Sequence, residues 1–182
     1  MTPRELDEYR ALRDTIRERG TARVWVFLAG IVAWGALTIA TAALASLPVA
    51  TCLPLLVLAA TFEAVFSLHV GIERIGRYVQ VFLEDEGGWE HTVMAAGPPP
   101  PGTRANPLFT VHFLMATLLN FVPALLAEPV PLEVAVVGSA HLLVAVRIVL
   151  AHRAAARQRD VDLVQFREAR VRGEAGKAGG AG

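Results

Sequence analysis

This sequence contains few cysteine and aromatic residues, and it has no excess of positive or negative charge. The single cysteine, Cys52, excludes an intramolecular disulfide and a cysteine-based zinc site. Basic and acidic residues number 17 each, so the chain lacks the positive field that attracts nucleic acid. Nucleotide-binding loops, zinc-protease motifs and nucleophile elbows are missing as well. No enzyme class is therefore indicated, and neither a nucleic-acid partner nor a cofactor is expected.

Aliphatic residues and alanine are abundant by contrast. Hydrophobic residues make up 54% of the chain although aromatic residues make up only 7%. Roughly 20 consecutive apolar residues are needed to cross a hydrocarbon core of about 30 Å. Four segments are long enough, namely 24–45, 50–71, 107–127 and 132–151. The sequence predicts an all-α integral membrane protein, built as an antiparallel bundle of four transmembrane helices.

Lysine and arginine are absent from two of the connections between these spans. The connections cover residues 46–49 and 128–131. All 17 basic residues lie in the N-terminal segment, in the middle loop, or from Arg147 onward. Basic flanks stay on the cytoplasmic side of a membrane. Both termini are therefore predicted to be cytoplasmic, with the chain in the cytoplasmic membrane, such as a bacterial inner membrane.

The N-terminal segment carries a helix-start signal. Thr2 and Glu5 have the spacing of a capping box, and Pro3 stands at the first helical position, where its missing N–H is not needed. The pattern predicts an amphipathic cytoplasmic helix over residues 3–20.

Two spans are predicted to continue into the cytoplasm. The second is expected to reach residue 86, and the fourth about Arg172. Together with the N-terminal helix they give a single domain over residues 1–172. A proline-rich linker is predicted over residues 87–106, and a disordered tail over residues 173–182.

Small residues form stripes on the first two spans, which suggests close packing. Because a short connection makes these spans neighbours, the two stripes are expected to face each other. On the first span the stripe consists of Ala22, Ala29, Ala33, Ala36, Ala40 and Ala43. On the second it consists of Ala60, Ala64, Ser67 and Gly71. The third and fourth spans carry stripes that include polar residues. The stripe of the third span consists of Thr110, Phe113, Thr117, Asn120 and Ala124. The stripe of the fourth span consists of Val134, Gly138, His141, Ala145, Ile148 and His152.

Polar residues deep in a span usually face the interior of a bundle and often carry function. Glu63 and His141 lie near the middle of their spans, and Thr117 and Asn120 follow the polar stripe of the third span. These four residues are the candidate intramembrane cluster, with Glu63 and His141 expected to face each other. The cluster serves either as interhelical glue or as a proton relay.

Four further residues are secondary candidates. His69 and His112 lie at similar depth, which raises the possibility of a haem or metal site, although their helix faces do not converge. Glu73 and Arg77 follow on the same charged stripe as Glu63.

Three classes of function remain open on the sequence alone. The first is a non-enzymatic membrane component that acts through its cytoplasmic helices on a partner or a second copy. The second is a small proton- or ion-coupled transporter that uses the Glu/His cluster, for which a continuous wet cavity reaching Glu63 is the distinguishing feature. The third is a redox or metal protein with intramembrane histidine ligands. The expected partners are the lipid bilayer and either a homo-oligomer or another membrane protein.

Overall fold

A computed structural model describes residues 1–44, 47–84, 88 and 107–179 of the chain. Each of its four long helices is long and apolar enough to cross a membrane. The predicted all-α class and the four predicted hydrophobic helices are confirmed. A 3-10 turn, Pro48–Thr51, leads into the second helix. The helices are α1 (Pro3–Leu44), α2 (Cys52–Phe82), α3 (Pro107–Leu126) and α4 (Pro131–Gly179).

The helix boundaries differ from the predicted ones in three places. The N-terminal helix and the first span are one continuous helix, α1. Helix α2 ends at Phe82, before the predicted end at residue 86, and α4 continues to Gly179, past the end predicted near Arg172. The predicted linker, apart from Gly88, lies outside the described residues, as do residues 180–182 of the predicted tail.

Side-chain caps explain where two helices begin. The backbone N–H of Thr2 donates to Glu5 (2.7 Å), and the backbone N–H of Glu5 donates to Oγ1 of Thr2 (3.3 Å). The predicted capping box is thus confirmed. At the start of α4, the backbone N–H of Val130 donates to Glu133 (3.0 Å) in the same way. Both caps satisfy N–H groups that the first turn of a helix leaves free.

The described residues divide into two compact units. The first contains residues 1–21, 68–84, 88 and 154–179, and we call it the polar unit. The second contains residues 22–44, 47–67 and 107–153, and we call it the apolar unit. Helices α1, α2 and α4 contribute residues to both units, whereas α3 belongs to the apolar unit alone.

The core of the apolar unit is built around aromatic side chains. The ring of Phe113 is fully buried and meets Phe62 and Phe27 edge-to-face, with ring centroids 5.3 and 5.7 Å apart. Edge-to-face pairs add to the stabilisation that apolar burial already provides. The predicted stripe of α3 is its buried face, because Phe113, Thr117, Asn120 and Ala124 are all buried.

The alanine stripe of α1 does not pack on α2, so that expectation is wrong. Its members are exposed, and so are Ala60, Ala64 and Ser67 of α2. The close approach of the two helices is made instead by Gly30, because a Cβ atom at that position would collide with the side chain of Thr61. Thr61 is buried and its hydroxyl donates to the carbonyl of Val57 (2.7 Å), so it has little freedom to move. Glycine therefore sets the spacing of α1 and α2.

Replacing Gly30 with alanine should lower the free energy of unfolding in detergent by about 1–3 kcal/mol, because the added methyl group overpacks the contact with Thr61. Ala36→Leu is the matched control, since Ala36 is exposed on the same helix. Its effect should stay within about 0.5 kcal/mol, as for other exposed positions. Equal losses for the two variants would contradict the assignment of the contact to Gly30.

The polar unit has an aromatic cluster of its own. Tyr78 and Phe82 of α2 pack on Phe166 of α4, with ring centroids 6.0 and 6.2 Å from that ring. The hydroxyl of Tyr78 donates to Glu8 of α1 (2.9 Å). One small cluster therefore joins all three helices of this unit.

Candidate functional site

Asn120 lies at the centre of a hydrogen-bond network in the apolar unit. Its Oδ1 accepts from the indole N–H of Trp34 (3.0 Å) and, at 3.3 Å, from the hydroxyl of Thr38, whose single proton is shared with the carbonyl of Trp34 (2.8 Å). Its amide nitrogen donates to the backbone carbonyl of Thr51 (2.9 Å) and to Nε2 of His141 (3.0 Å). A side-chain amide offers two donors and an oxygen with two lone pairs. Asn120 is completely buried and uses all four.

The partners fix the orientation of the amide. An indole N–H can only donate, so the group facing Trp34 must be the oxygen. A backbone carbonyl can only accept, so the group facing Thr51 must be the nitrogen. The two assignments agree, and they leave an N–H of Asn120 directed at the ring of His141.

This orientation also fixes the tautomer of His141. Because Nε2 accepts from Asn120, the ring proton resides on Nδ1, which lies 2.8 Å from the carbonyl of Val137 and donates to it. The ring is buried and packs on Phe121, with centroids 5.0 Å apart. These contacts therefore fix the orientation and the tautomer of the His141 ring.

The structure brings together only part of the predicted cluster. Asn120 and His141 are bonded to each other, but Thr117 donates to the carbonyl of Phe113 in its own helix (2.8 Å). Glu63 does not pair with His141, and this expectation is wrong. Glu63 accepts instead from Arg147 (2.8 Å), and both side chains are about half exposed. The charged pair and the buried amide network are thus separate features of the apolar unit.

The secondary candidates lie in different places. His112 belongs to the apolar unit, where it is exposed and makes an edge contact with the ring of Phe27. His69, Glu73 and Arg77 belong to the polar unit. Within the described ranges, no group of three or more His, Cys, Asp or Glu residues is arranged to hold a metal ion.

The polar unit contains a network of ionised side chains on α2 and α4. Arg77 is buried and donates to Asp162 (2.8 Å), which is also buried, and to Glu73 (3.2 Å). Glu73 also accepts from Arg159 (2.9 Å) and lies 3.4 Å from the ring nitrogen of His69. Opposite charges are matched within the network, as burial requires.

Asp162 is held ionised by its surroundings. Burial raises the pKa of its carboxyl, but hydrogen bonds from Gln158 and Arg77 and the charges of Arg77 and Arg74 outweigh burial. The pKa of Asp162 therefore lies below its ordinary value of 3.8. This carboxylate is a fixed counter-charge for the guanidinium of Arg77.

An open cleft of about 430 Å³ lies beside the 3-10 turn of the apolar unit. Its walls come from α1, the turn, and the end of α3, and they are mostly apolar. Neither Glu63 nor His141 contributes to its lining. Its polar members are Thr41, Thr51 and Glu128.

Sequence reasoning missed Trp34, Thr38, Thr51 and Asp162. A tryptophan in a hydrophobic span needs a partner for its indole N–H, so Trp34 carried a usable signal. The contribution of Thr51 is its backbone carbonyl, which no side-chain pattern identifies. Asp162 resembles the solvated charges around it in the sequence, and only packing distinguishes it.

Comparisons with known proteins give no relationship from which a role could be transferred. No protein-family description matches the chain, and neither curated sequences nor solved structures yield a significant match.

Proposed function

We propose that this chain is an integral membrane protein with four antiparallel transmembrane helices and both termini in the cytoplasm. Its role is non-enzymatic: the polar unit presents helix surfaces to a partner protein or to a second copy. The observation that carries the proposal is the inverted distribution of polarity in the apolar unit.

In the apolar unit, polar groups are buried and large apolar side chains are exposed. Thr61, Thr117, Asn120 and His141 are buried. Apolar side chains on every helix are more than half exposed, for example Trp25, Val32, Leu56, Leu118 and Leu143. An exposed apolar surface of this extent is typical of contact with lipid.

The hydrogen-bond network supports a structural role for the buried polar groups. A proton relay needs a group that can gain and lose a proton, and the relay hypothesis assigned this task to Glu63 and His141. The two residues have different partners, and His141 is fixed by Asn120 and Val137. Interhelical hydrogen bonds of this kind hold membrane helices together. The arrangement therefore favours a structural role for these hydrogen bonds over a role in transport.

An apolar strip on the polar unit supports an interaction through the cytoplasmic helices. Val161, Val164 and Val171 of α4 are 45%, 55% and 64% exposed. At 100° per residue they fall within one helix face. Such a strip among charged residues is suited to packing against another helix.

Labelling of single cysteines tests the membrane topology, in a Cys52→Ala background that removes the native thiol. A cysteine in place of Val130 should react with an impermeant maleimide added to intact cells. A cysteine in place of Asp160 should react only after the membrane is permeabilised, because basic flanks hold this side in the cytoplasm. Both positions are exposed, so access to the thiol is matched. The opposite labelling would contradict the orientation.

A photo-crosslinking residue tests the interaction surface. Placed at Val164, it should give a discrete adduct in living cells, because the valine strip is in contact with a partner. The same residue at Arg10, an exposed position on α1, is the control. Adducts of equal yield at both positions, or none at Val164, would count against the strip as the contact surface.

A further inference from the structure

The outer surface of the apolar unit carries an ion pair between Arg147 and Glu63. The guanidinium of Arg147 donates to Glu63 at 2.8 Å and lies 5.9 Å from the centre of the Phe66 ring. The side chains of Arg147 and Glu63 remain 50% and 47% exposed. This is unlike Asn120, whose polar atoms are all enclosed.

The pair lies deep in the membrane if the proposed function is right, and the inference rests on that membrane location. Counting about 1.5 Å per residue from the centres of the predicted spans, Glu63 lies about 4 Å and Arg147 about 8 Å from the midplane. The hydrocarbon core extends about 15 Å on each side. Charged side chains at such depth face protein or water in nearly all membrane proteins, since exposure to lipid is costly.

Much of the hydrogen-bonding capacity of this pair is unused. Among the described residues, one hydrogen bond joins the two side chains, from Nη2 of Arg147 to Oε2 of Glu63. A carboxylate has a second oxygen, and a guanidinium has five N–H donors. The free donors and acceptors are part of an exposed surface, so they are available to a neighbour.

The surface beside Glu63 permits a close approach. Ala60 and Ser67 lie one turn before and after Glu63 on α2, Ala64 is adjacent, and all three are exposed. Small side chains let the backbones of membrane helices come together.

We propose that a second copy of this chain covers the Glu63–Arg147 surface, forming a two-fold symmetric dimer within the membrane. The surface carries one positive and one negative charge, so it is complementary to itself. A two-fold axis brings Glu63 of each copy to Arg147 of the other, and the four charges close into a neutral ring. An apolar partner would bury the pair without using its free donors and acceptors.

Charge reversal tests the dimer in liposomes. Copies that carry a donor fluorophore are mixed with copies that carry an acceptor fluorophore, and energy transfer between them is measured as added lipid dilutes the protein. The wild-type chain should dimerise. Glu63→Arg alone places like charges on both facing surfaces, and so does Arg147→Glu alone. Each should weaken self-association by about tenfold or more. A mixture of the two single variants should recover energy transfer, because an all-positive surface then meets an all-negative one.

The matched control carries both reversals in one chain. Glu63→Arg with Arg147→Glu keeps the surface self-complementary, so this variant should dimerise like the wild type. If a single reversal fails to insert, Glu63→Gln with Arg147→Gln gives a neutral surface of similar shape, which should dimerise less tightly than the wild type.

Two results would overturn the dimer. One is a wild-type chain that stays monomeric in liposomes at high density. The other is energy transfer that is the same in all variants, which would place the contact elsewhere, for instance on the exposed alanines of α1. Carbonate extraction of cell membranes separates these outcomes from failure of the proposed function. A chain released by carbonate is not an integral membrane protein, whereas a retained but monomeric chain contradicts the dimer alone.

Discussion

Asn120→Leu should lower the free energy of unfolding in mixed micelles by about 2–4 kcal/mol. The substitution removes four hydrogen bonds, and each interhelical bond of this kind contributes about 0.6 kcal/mol, with a maximum near 1.7. It also leaves the indole N–H of Trp34 and the carbonyl of Thr51 in a buried site without their partner. The measurement is equilibrium unfolding by SDS titration, followed by far-ultraviolet circular dichroism.

Thr117→Val is the matched control for this experiment. Thr117 is buried on the same helix, but its hydroxyl donates to the carbonyl of Phe113 within that helix. Valine has nearly the same shape, so the loss should stay below about 1 kcal/mol. If the two variants lose equal stability, the network around Asn120 does not hold the helices together.

Asp162→Asn should destabilise the polar unit by about 3 kcal/mol. The variant leaves the buried guanidinium of Arg77 without its closest counter-charge, and breaking one side of a buried ion pair is strongly destabilising. Glu73 still accepts from Arg77, which limits the loss. Hydrogen exchange of the amides in residues 70–82 and 155–170 measures the effect directly in this unit.

The double variant Arg77→Met with Asp162→Leu distinguishes lost pairing from lost packing. Because an apolar pair leaves no buried charge at these positions, it should cost less stability than Asp162→Asn alone. A double variant that is less stable than the single variant would show that the ion pair itself stabilises the unit.

The same carboxylate predicts how stability depends on pH. The folded-state pKa of Asp162 is below its ordinary value of 3.8, so the unfolded chain binds a proton first as the pH falls. The contribution of Asp162 is fully present above about pH 5 and is lost as the pH falls through the folded-state pKa. Acid unfolding of the wild type should therefore depend more steeply on pH than that of Asp162→Asn, in the range below the ordinary pKa of an aspartate.

Hydropathy and helical period predicted the helices well because both depend on local sequence. Length and apolar content identified all four, and the Thr2–Glu5 capping box located the start of α1. The stripe on α3 was also correct, since a polar side chain within an apolar helix indicates which face turns inward.

The sequence could not predict which face of α1 packs against the other helices, because a stripe of alanines suits a tight interface and an exposed surface equally. Gly30 lies off the stripe, yet its lack of a side chain determines the contact with Thr61. The predicted pairing of Glu63 with His141 was wrong for a related reason. Depth in a span shows that a charge needs a partner, but not which of the neighbouring helices supplies it, and here α4 supplies Arg147.

The Asn120 network imposes an order on assembly. Its partners lie on α1, on the turn before α2 and on α4, so they are synthesised both before and after α3. Until His141 emerges, the amide of Asn120 lacks one acceptor, and until Asn120 emerges, the indole of Trp34 lacks its own. The hydrogen bonds from α1 and from the turn to Asn120 can form once α3 is in place, whereas the one to His141 requires α4. The hydrogen-bond network of the apolar unit is therefore complete only after the last helix has been synthesised.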